Sequence, residues 1–399
     1  MKRVAIGVLT ALLCGSLSSS AGAAQSDRAL IAALQSNLNS YLAKRAKIEH
    51  ISAVSLAISL HGRPTIALAA GRVGTDRPSA PATPSSLFQI GSNTKAVTAT
   101  LILDLEAQHR LRVTDRLGKW LPQYPAWKNV TIAQSLDMTS GIPTYDNDPA
   151  FQRLWARNPY RHFSAPELIA AVYPKNGRAV FQRGWHYSNT GYILSQLIIE
   201  RAGGLNYANA LQKGIFQRLH LGDMYYDPNR LSPELIKRVV HGYFASDDPD
   251  NTYLAPLFGK DMRDMSLSWA QAAGGIIATP SAMIPWLRAL YTGNAMPAAQ
   301  RSELMQTVSM RSGKPVAKLT TDDSRDFGLG VGRALFPGMG VVWFYEGMTL
   351  GYRVLHVWIP KSDAVIVVAA NSQPRAKDNA LGSMLMVDVY KTLRALKAL

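Results

Sequence analysis

The chain has one cysteine in 399 residues, Cys14, so no intramolecular disulfide can form. Its eight histidines are scattered and no His-Glu-x-x-His occurs, which leaves a zinc site without support. Neither a Gly-x-Ser-x-Gly elbow nor a phosphate-cradling glycine loop is present, which argues against an α/β-hydrolase triad and nucleotide chemistry. Acidic residues are in short supply, 27 against 43 lysines and arginines, and the formal charge is +16. The basic residues form no block and no aromatic-interleaved patch, so nucleic acid is not an expected partner. No apolar run is long enough to span a bilayer, so no integral membrane segment is expected.

What is present begins with a leader. Lys2-Arg3, the apolar run Val4 to Leu13 and the small-residue site Ala21-Gly22-Ala23 read as a secretory signal peptide over residues 1–24. Secretion or periplasmic export is therefore expected, and the anionic cell envelope suits the basic charge. A lipoprotein site at Cys14 is the weaker alternative, because Leu12-Leu13 are bulky for one.

Beyond the leader, Leu30, Ile31, Leu34, Leu38, Tyr41 and Leu42 predict an amphipathic helix over 27–47. Val54, Leu56, Ile58 and Leu60 alternate with small residues, predicting a strand that returns over Thr65–Ala70 as a hairpin. Helical patterns then dominate from about residue 100 to 260. They are followed by a helix over Pro280–Tyr291, strands over Gly328–Gly332, Val341–Glu346, Gly351–Ile359 and Ala364–Ala370, and a last helix over Asp378–Leu396. Strands from both ends must share one mainly antiparallel sheet, with the terminal helices on one face and the helical body on the other, an α+β architecture. The expected organisation after the leader is one catalytic unit over 25–399, with an α/β part at 25–100 and 265–399 and a helical insertion at 101–264.

Two short motifs carry chemistry. In Gly91-Ser92-Asn93-Thr94-Lys95, Ser92 and Lys95 would share one helix face. A lysine held partly dry beside a serine can take its proton, because desolvation favours the neutral amine. The same two residues could also be a helix N-cap and a solvated lysine. The second motif, Tyr187-Ser188-Asn189 on a loop before a helix at Gly191, offers a phenol, a hydroxyl and an amide. Asp146-Asn147-Asp148 reads as a solvated turn.

Ser-x-x-Lys followed by Tyr-x-Asn, in this strand–helix–strand order, resembles the serine β-lactamase and penicillin-binding group in its class C branch. That branch includes class C β-lactamases, DD-peptidases, D-aminopeptidases and related esterases. Thr139-Ser140-Gly141, His241-Gly242-Tyr243, Ala273-Gly274-Gly275 and Thr279 are similar to further landmarks of the group. The resemblance implies a β-lactamase/transpeptidase-like fold. It implies that Ser92 is the acylated nucleophile, Lys95 its proton acceptor or electrostatic partner, and Tyr187 the general base and acid, with Asn189 binding a substrate carbonyl. No cofactor or metal is implied.

The family's third motif falls on Tyr345-Glu346-Gly347-Met348, where Gly347 would let substrate approach and the Ser92 and Met348 N–H groups would form an oxyanion hole. Tyr345 and Glu346 stand where the family has a basic residue and a hydroxyl that favour a substrate carboxylate. That exchange weighs against β-lactam and carboxypeptidase activity and suits an ester or an amine-bearing substrate. Glu346 could instead turn outward to an arginine. The expected substrate is a small molecule or peptide, cell-wall-derived fragments among the candidates. The alternative is a binding or regulatory protein that has kept the fold and lost turnover.

Overall fold

The computed structural model describes residues 14–399 except 77, 227–230 and 337. The leader's apolar run, Val4 to Leu13, lies outside the described residues. Nine strands form one antiparallel sheet: β1 (Ala53–Ser59), β2 (Ile66–Gly71), β3 (Thr307–Ser309), β4 (Pro315–Val316), β5 (Arg325–Phe327), β6 (Gly332–Phe336), β7 (Gly340–Thr349), β8 (Tyr352–Ile359) and β9 (Ala364–Ala370). Their order across the sheet is β2-β1-β9-β8-β7-β6-β5-β3-β4, so the first hairpin is paired with the last of these nine strands in chain order.

The period-two pattern of β1 explains the layering. Val54, Leu56 and Ile58 pack with Leu30, Leu34, Leu38, Val389 and Leu393 of the terminal helices, Cys14–Glu49 and Val387–Ala395. Ala53 and Ala57 on the opposite face join the core of the helical body. Small side chains there let the helix Pro280–Tyr291 lie close against β1 and β9. That helix has the bounds its sequence signals give it, with Thr279 accepting the Ala282 N–H as N-cap and Pro280 in the first turn.

The structure corrects several expectations. The helix after the nucleophile segment runs Thr94–Ala107 and is preceded by a 3-10 turn, Gly91–Asn93. It is buried nearly all round because other helices pack around it, among them Asn189–Gly203, Gln271–Gly274 and Ala298–Leu304. The helix expected at Gly191 starts at Asn189. Of Gly328–Gly332, only Gly332 is in a strand, as the first residue of β6; Gly328–Val331 is a turn closed by Gly328 N–H donating to Val331 O, with Gly330 at φ +82°. A positive φ at glycine breaks the ladder that the apolar spacing suggests. The short strands β3 and β4 and the helices Pro149–Arg157 and Ala298–Leu304 were not expected from the sequence. No helix among the described residues is long and apolar enough to cross a membrane.

Candidate active site

The chain enters the site through Phe88–Gln89, a two-residue strand paired with Ile276–Ala278. It then turns at Gly91, which has φ +53°. A Cβ at Gly91 would stand 2.7 Å from Met348 N and 2.6 Å from Met348 O. A Cβ at Gly347 would stand 2.0 Å from Ile90 O and 2.8 Å from Ser92 N. The two glycines therefore let β7 and the nucleophile turn pack backbone to backbone. Gly347 was expected to open the strand to substrate; the atoms a Cβ would meet there belong to the nucleophile turn.

Asn93 fastens the turn to β8. Its Nδ2 donates to Ile90 O (2.9 Å) and Val354 O (2.8 Å), two obligate acceptors that fix the amide orientation. Its Oδ1 then faces His356 Nδ1 at 2.6 Å, and His356 Nε2 faces the Tyr291 hydroxyl at 2.8 Å. Burial holds His356 down to about 3, so the ring is neutral, with its proton on Nδ1 toward Asn93. Nothing in the local sequence marked Asn93, because the two partners that tie it to β8, Val354 and His356, lie more than 250 residues away.

Lys95 is fully buried. Its Nζ lies 2.9 Å from Ser92 Oγ, 2.6 Å from Asn189 Oδ1 and 2.7 Å from Ala273 O. The Tyr187 and Tyr192 rings flank it at 4.9 and 5.1 Å. Desolvation lowers its pKa to about 7, against a smaller raising effect from the Asp146 carboxylate. The neutral amine has two N–H bonds and one lone pair. Asn189 Oδ1 and Ala273 O can only accept, so they take the two N–H bonds and the lone pair faces Ser92. An amine in that state is placed to receive the serine proton.

Tyr187 closes the other side, with its hydroxyl 2.6 Å from Ser92 Oγ. Tyr187 is 37% exposed and lines the cleft beside Ser92. Its desolvation pushes the phenol above its ordinary pKa, offset in part by the hydrogen bond with Ser92. The phenol is therefore protonated at neutral pH and can give a proton away. Asn189 donates from Nδ2 to Asp146 Oδ2 at 2.8 Å, and its backbone N–H donates to Thr144 Oγ1 at 3.0 Å. Asp146, read from sequence as part of a solvated turn, thus belongs to the site. His186 turns away, with Nε2 2.8 Å from Arg183 O.

On β7, Tyr345 and Glu346 point to opposite faces, as neighbours on a strand do. Tyr345 is buried against Phe327 and lies beside Tyr187. Glu346 lines the cleft, and its Oε1 accepts from Asn379 Nδ2 at 2.8 Å. Its partner is thus an asparagine and not an arginine. Met348 lines the cleft as well, with its side chain 45% exposed.

The cavity over Ser92 has a volume of about 310 Å³, and Trp155, Trp269 and Leu254 form an apolar wall. Asp146 and Glu346 both line it, whereas no lysine or arginine does among the described residues. No group of three or more histidines, cysteines or carboxylates among the described residues is placed to hold a metal ion.

Fold and cleft together define a class of protein: a β-lactamase/transpeptidase-like sheet with a serine, a buried lysine and a tyrosine converging at the edge of β7. The Beta-lactamase family model matches residues 38–391, and the chain belongs to that family. Penicillin-binding protein 4* of Bacillus subtilis is 27% identical over 279 residues, 68% of this chain and 58% of that protein. Protein flp of Staphylococcus aureus is 28% identical over 43% of this chain and 34% of its own length. The chain thus spans between a third and three fifths of these relatives. Among solved structures, the D-amino acid amidase of Ochrobactrum anthropi SV3 superposes with a TM-score of 0.74 at 22% identity, over 92% of this chain and 99% of that one. D-alanine carboxypeptidase AmpC of Burkholderia cenocepacia gives 0.66 at 17% identity, over 91% and 99%. At those identities the likeness is one of fold.

Proposed function

We propose that the protein is an exported serine hydrolase of the class C type that works through an acyl-enzyme on Ser92. The observation that carries this reading is the buried Lys95 Nζ, 2.9 Å from Ser92 Oγ, with its other two partners obligate acceptors. In the first half-reaction, Lys95 takes the Ser92 proton as Oγ forms a bond to the substrate carbonyl carbon. The oxyanion lies between the N–H groups of Ser92 and Met348. Tyr187, protonated and 2.6 Å from Ser92 Oγ, gives its proton to the leaving amine or alcohol as the carbonyl–heteroatom bond breaks. In the second half, water attacks the ester. Its proton passes to Tyr187, and Ser92 recovers its own from Lys95.

The cleft favours a small amide or ester whose acyl part carries an amine. Asp146 and Glu346 are the charged side chains lining it, and a substrate carboxylate would meet both with repulsion. D-Amino-acid amides, short peptides and cell-wall-derived fragments fit this description. Export is inferred from the leader residues Lys2 to Ala23.

A fluorophosphonate probe tests the reading directly. Covalent labelling of the wild type that disappears in Ser92→Ala is the expected result. A folded wild type that takes no label would instead support the alternative, a fold-retaining binding protein, for which the exchanged pair Tyr345-Glu346 is the motive. Within the hydrolase reading, D-amino-acid amides should be turned over faster than nitrocefin. Fast nitrocefin turnover would overturn the role given to Glu346.

A further inference from the structure

The orientation of the Asn189 amide decides what Lys95 can do. With Oδ1 on Lys95, as found at 2.6 Å, the amide claims an N–H of the amine and leaves the lone pair for Ser92. With the amide turned over, Nδ2 would face Lys95 as a second donor and compete for that lone pair. The two orientations are nearly equal in shape, so something beyond packing must choose between them.

Asp146 is placed to make the choice. Its Oδ2 lies 2.8 Å from Asn189 Nδ2, and a carboxylate can only accept. Asp146 is itself held. Its Oδ1 accepts from Thr144 Oγ1, which also receives the Asn189 backbone N–H at 3.0 Å. Its carbonyl accepts from Gln152 Nε2 at 2.8 Å. The neighbouring Tyr145 N–H donates to Thr190 Oγ1 at 3.1 Å, so further hydrogen bonds join this turn to the start of the helix Asn189–Gly203 beside the contact.

We propose that Asp146 is a positioning residue of the hydrolytic centre: it fixes the Asn189 amide with its oxygen on Lys95, so that the amine's lone pair faces the Ser92 hydroxyl. This rests on the hydrolase reading above. The carboxylate has a second effect through space. Lys95 is faced by the neutral groups Ser92, Asn189, Ala273 O and the rings of Tyr187 and Tyr192, with Tyr345 behind Tyr187. Asp146 is the charged group that acts on it, and it raises the basicity that burial lowers. Removing the charge while keeping the shape should make Lys95 a weaker base that is deprotonated at lower pH.

The test is the second-order rate of fluorophosphonate labelling against pH for wild type, Asp146→Asn and Asp146→Glu, which needs no known substrate. In Asp146→Asn the plateau should fall about tenfold or more, and the acid limb should move to lower pH by about one unit, the size of a near-neighbour charge effect. Asp146→Glu, which keeps the acceptor and the charge, should hold its limb near that of the wild type. A role in folding alone would lower the rate at every pH and leave the limb in place, and that result overturns the proposal. If Asp146→Asn does not accumulate as folded protein, Asp146→Ser, smaller and neutral, must show the same displacement. An unlabelled wild type fails the hydrolase reading instead, which keeps the two failures apart.

Discussion

Lys95 carries a cost that its proposed role as a base would account for. An unfolded lysine holds its proton up to about pH 10.5, whereas the buried one gives it up at about 7. Between those values the unfolded chain binds the extra proton, so stability from this group rises with pH across the window. Its full burden falls below about 7. The same displacement makes the amine available as a base near neutrality. We expect kcat/KM for an ester substrate to fall about tenfold per pH unit on the acid side of about 7. Lys95→Met, of similar length and without a base, should lose about 10²- to 10⁴-fold in acylation. A pH–rate profile flat from 5 to 8 would remove Lys95 from the role. Ser92, Lys95, Tyr187 and Asn189 were legible because each pair sits in a short motif on contiguous chain. Asp146, Asn93 and Asn379 were not, since each is defined by a partner 33 or more residues away and by the direction of an amide.

At the scale of elements, the site is an agreement between a turn and a strand. Gly91 and Gly347 remove the two Cβ atoms that would hold Gly91–Asn93 off β7, and Asn93 binds the turn to β8 on the other side. Gly347→Ala tests this. A Cβ 2.0 Å from Ile90 O forces the backbones apart, at a cost of about 1 to 3 kcal/mol by the measure of overpacked cores. Thermal melting should show that loss, and labelling of Ser92 should slow by more than the stability change explains, because the Ser92 and Met348 N–H groups separate. An alanine variant labelled at the wild-type rate would show that the close approach has no part in reactivity. Long periodic elements such as Pro280–Tyr291 and β1 were readable from side-chain spacing. The region around Gly328–Gly332 was not, because its apolar spacing fits a strand and two glycines turn it into a corner that packs on the Lys95 backbone. The strands β3 and β4, of three and two residues, are too short to carry a period.

At the scale of the molecule, strands from the two ends of the chain pair side by side in one sheet, and a buried ion pair ties that junction to the cleft. Glu49, at the end of the first helix, meets Arg353 of β8 at 2.7 Å with both side chains inaccessible to solvent. Tyr41 donates to both carboxylate oxygens at 2.8 and 2.9 Å, and Arg45 Nε donates at 2.7 Å. Arg353 goes on to Ser372 O and to Asn379 Oδ1, and Asn379 Nδ2 reaches Glu346 in the cleft. A hydrophobic replacement of the whole set could be as stable, but removing one member leaves a charge stranded where water cannot reach it. Glu49→Gln keeps the shape and strands Arg353. Urea unfolding should then show a loss of about 3 to 5 kcal/mol, typical of a broken buried pair. The same variant should loosen Asn379 and, through it, Glu346. Its KM for an amine-bearing substrate should therefore rise while that for a neutral p-nitrophenyl ester stays near the wild-type value. A loss of stability with both KM values unchanged would separate the ion pair from the cleft and leave it a purely structural clasp between the first helix and the sheet.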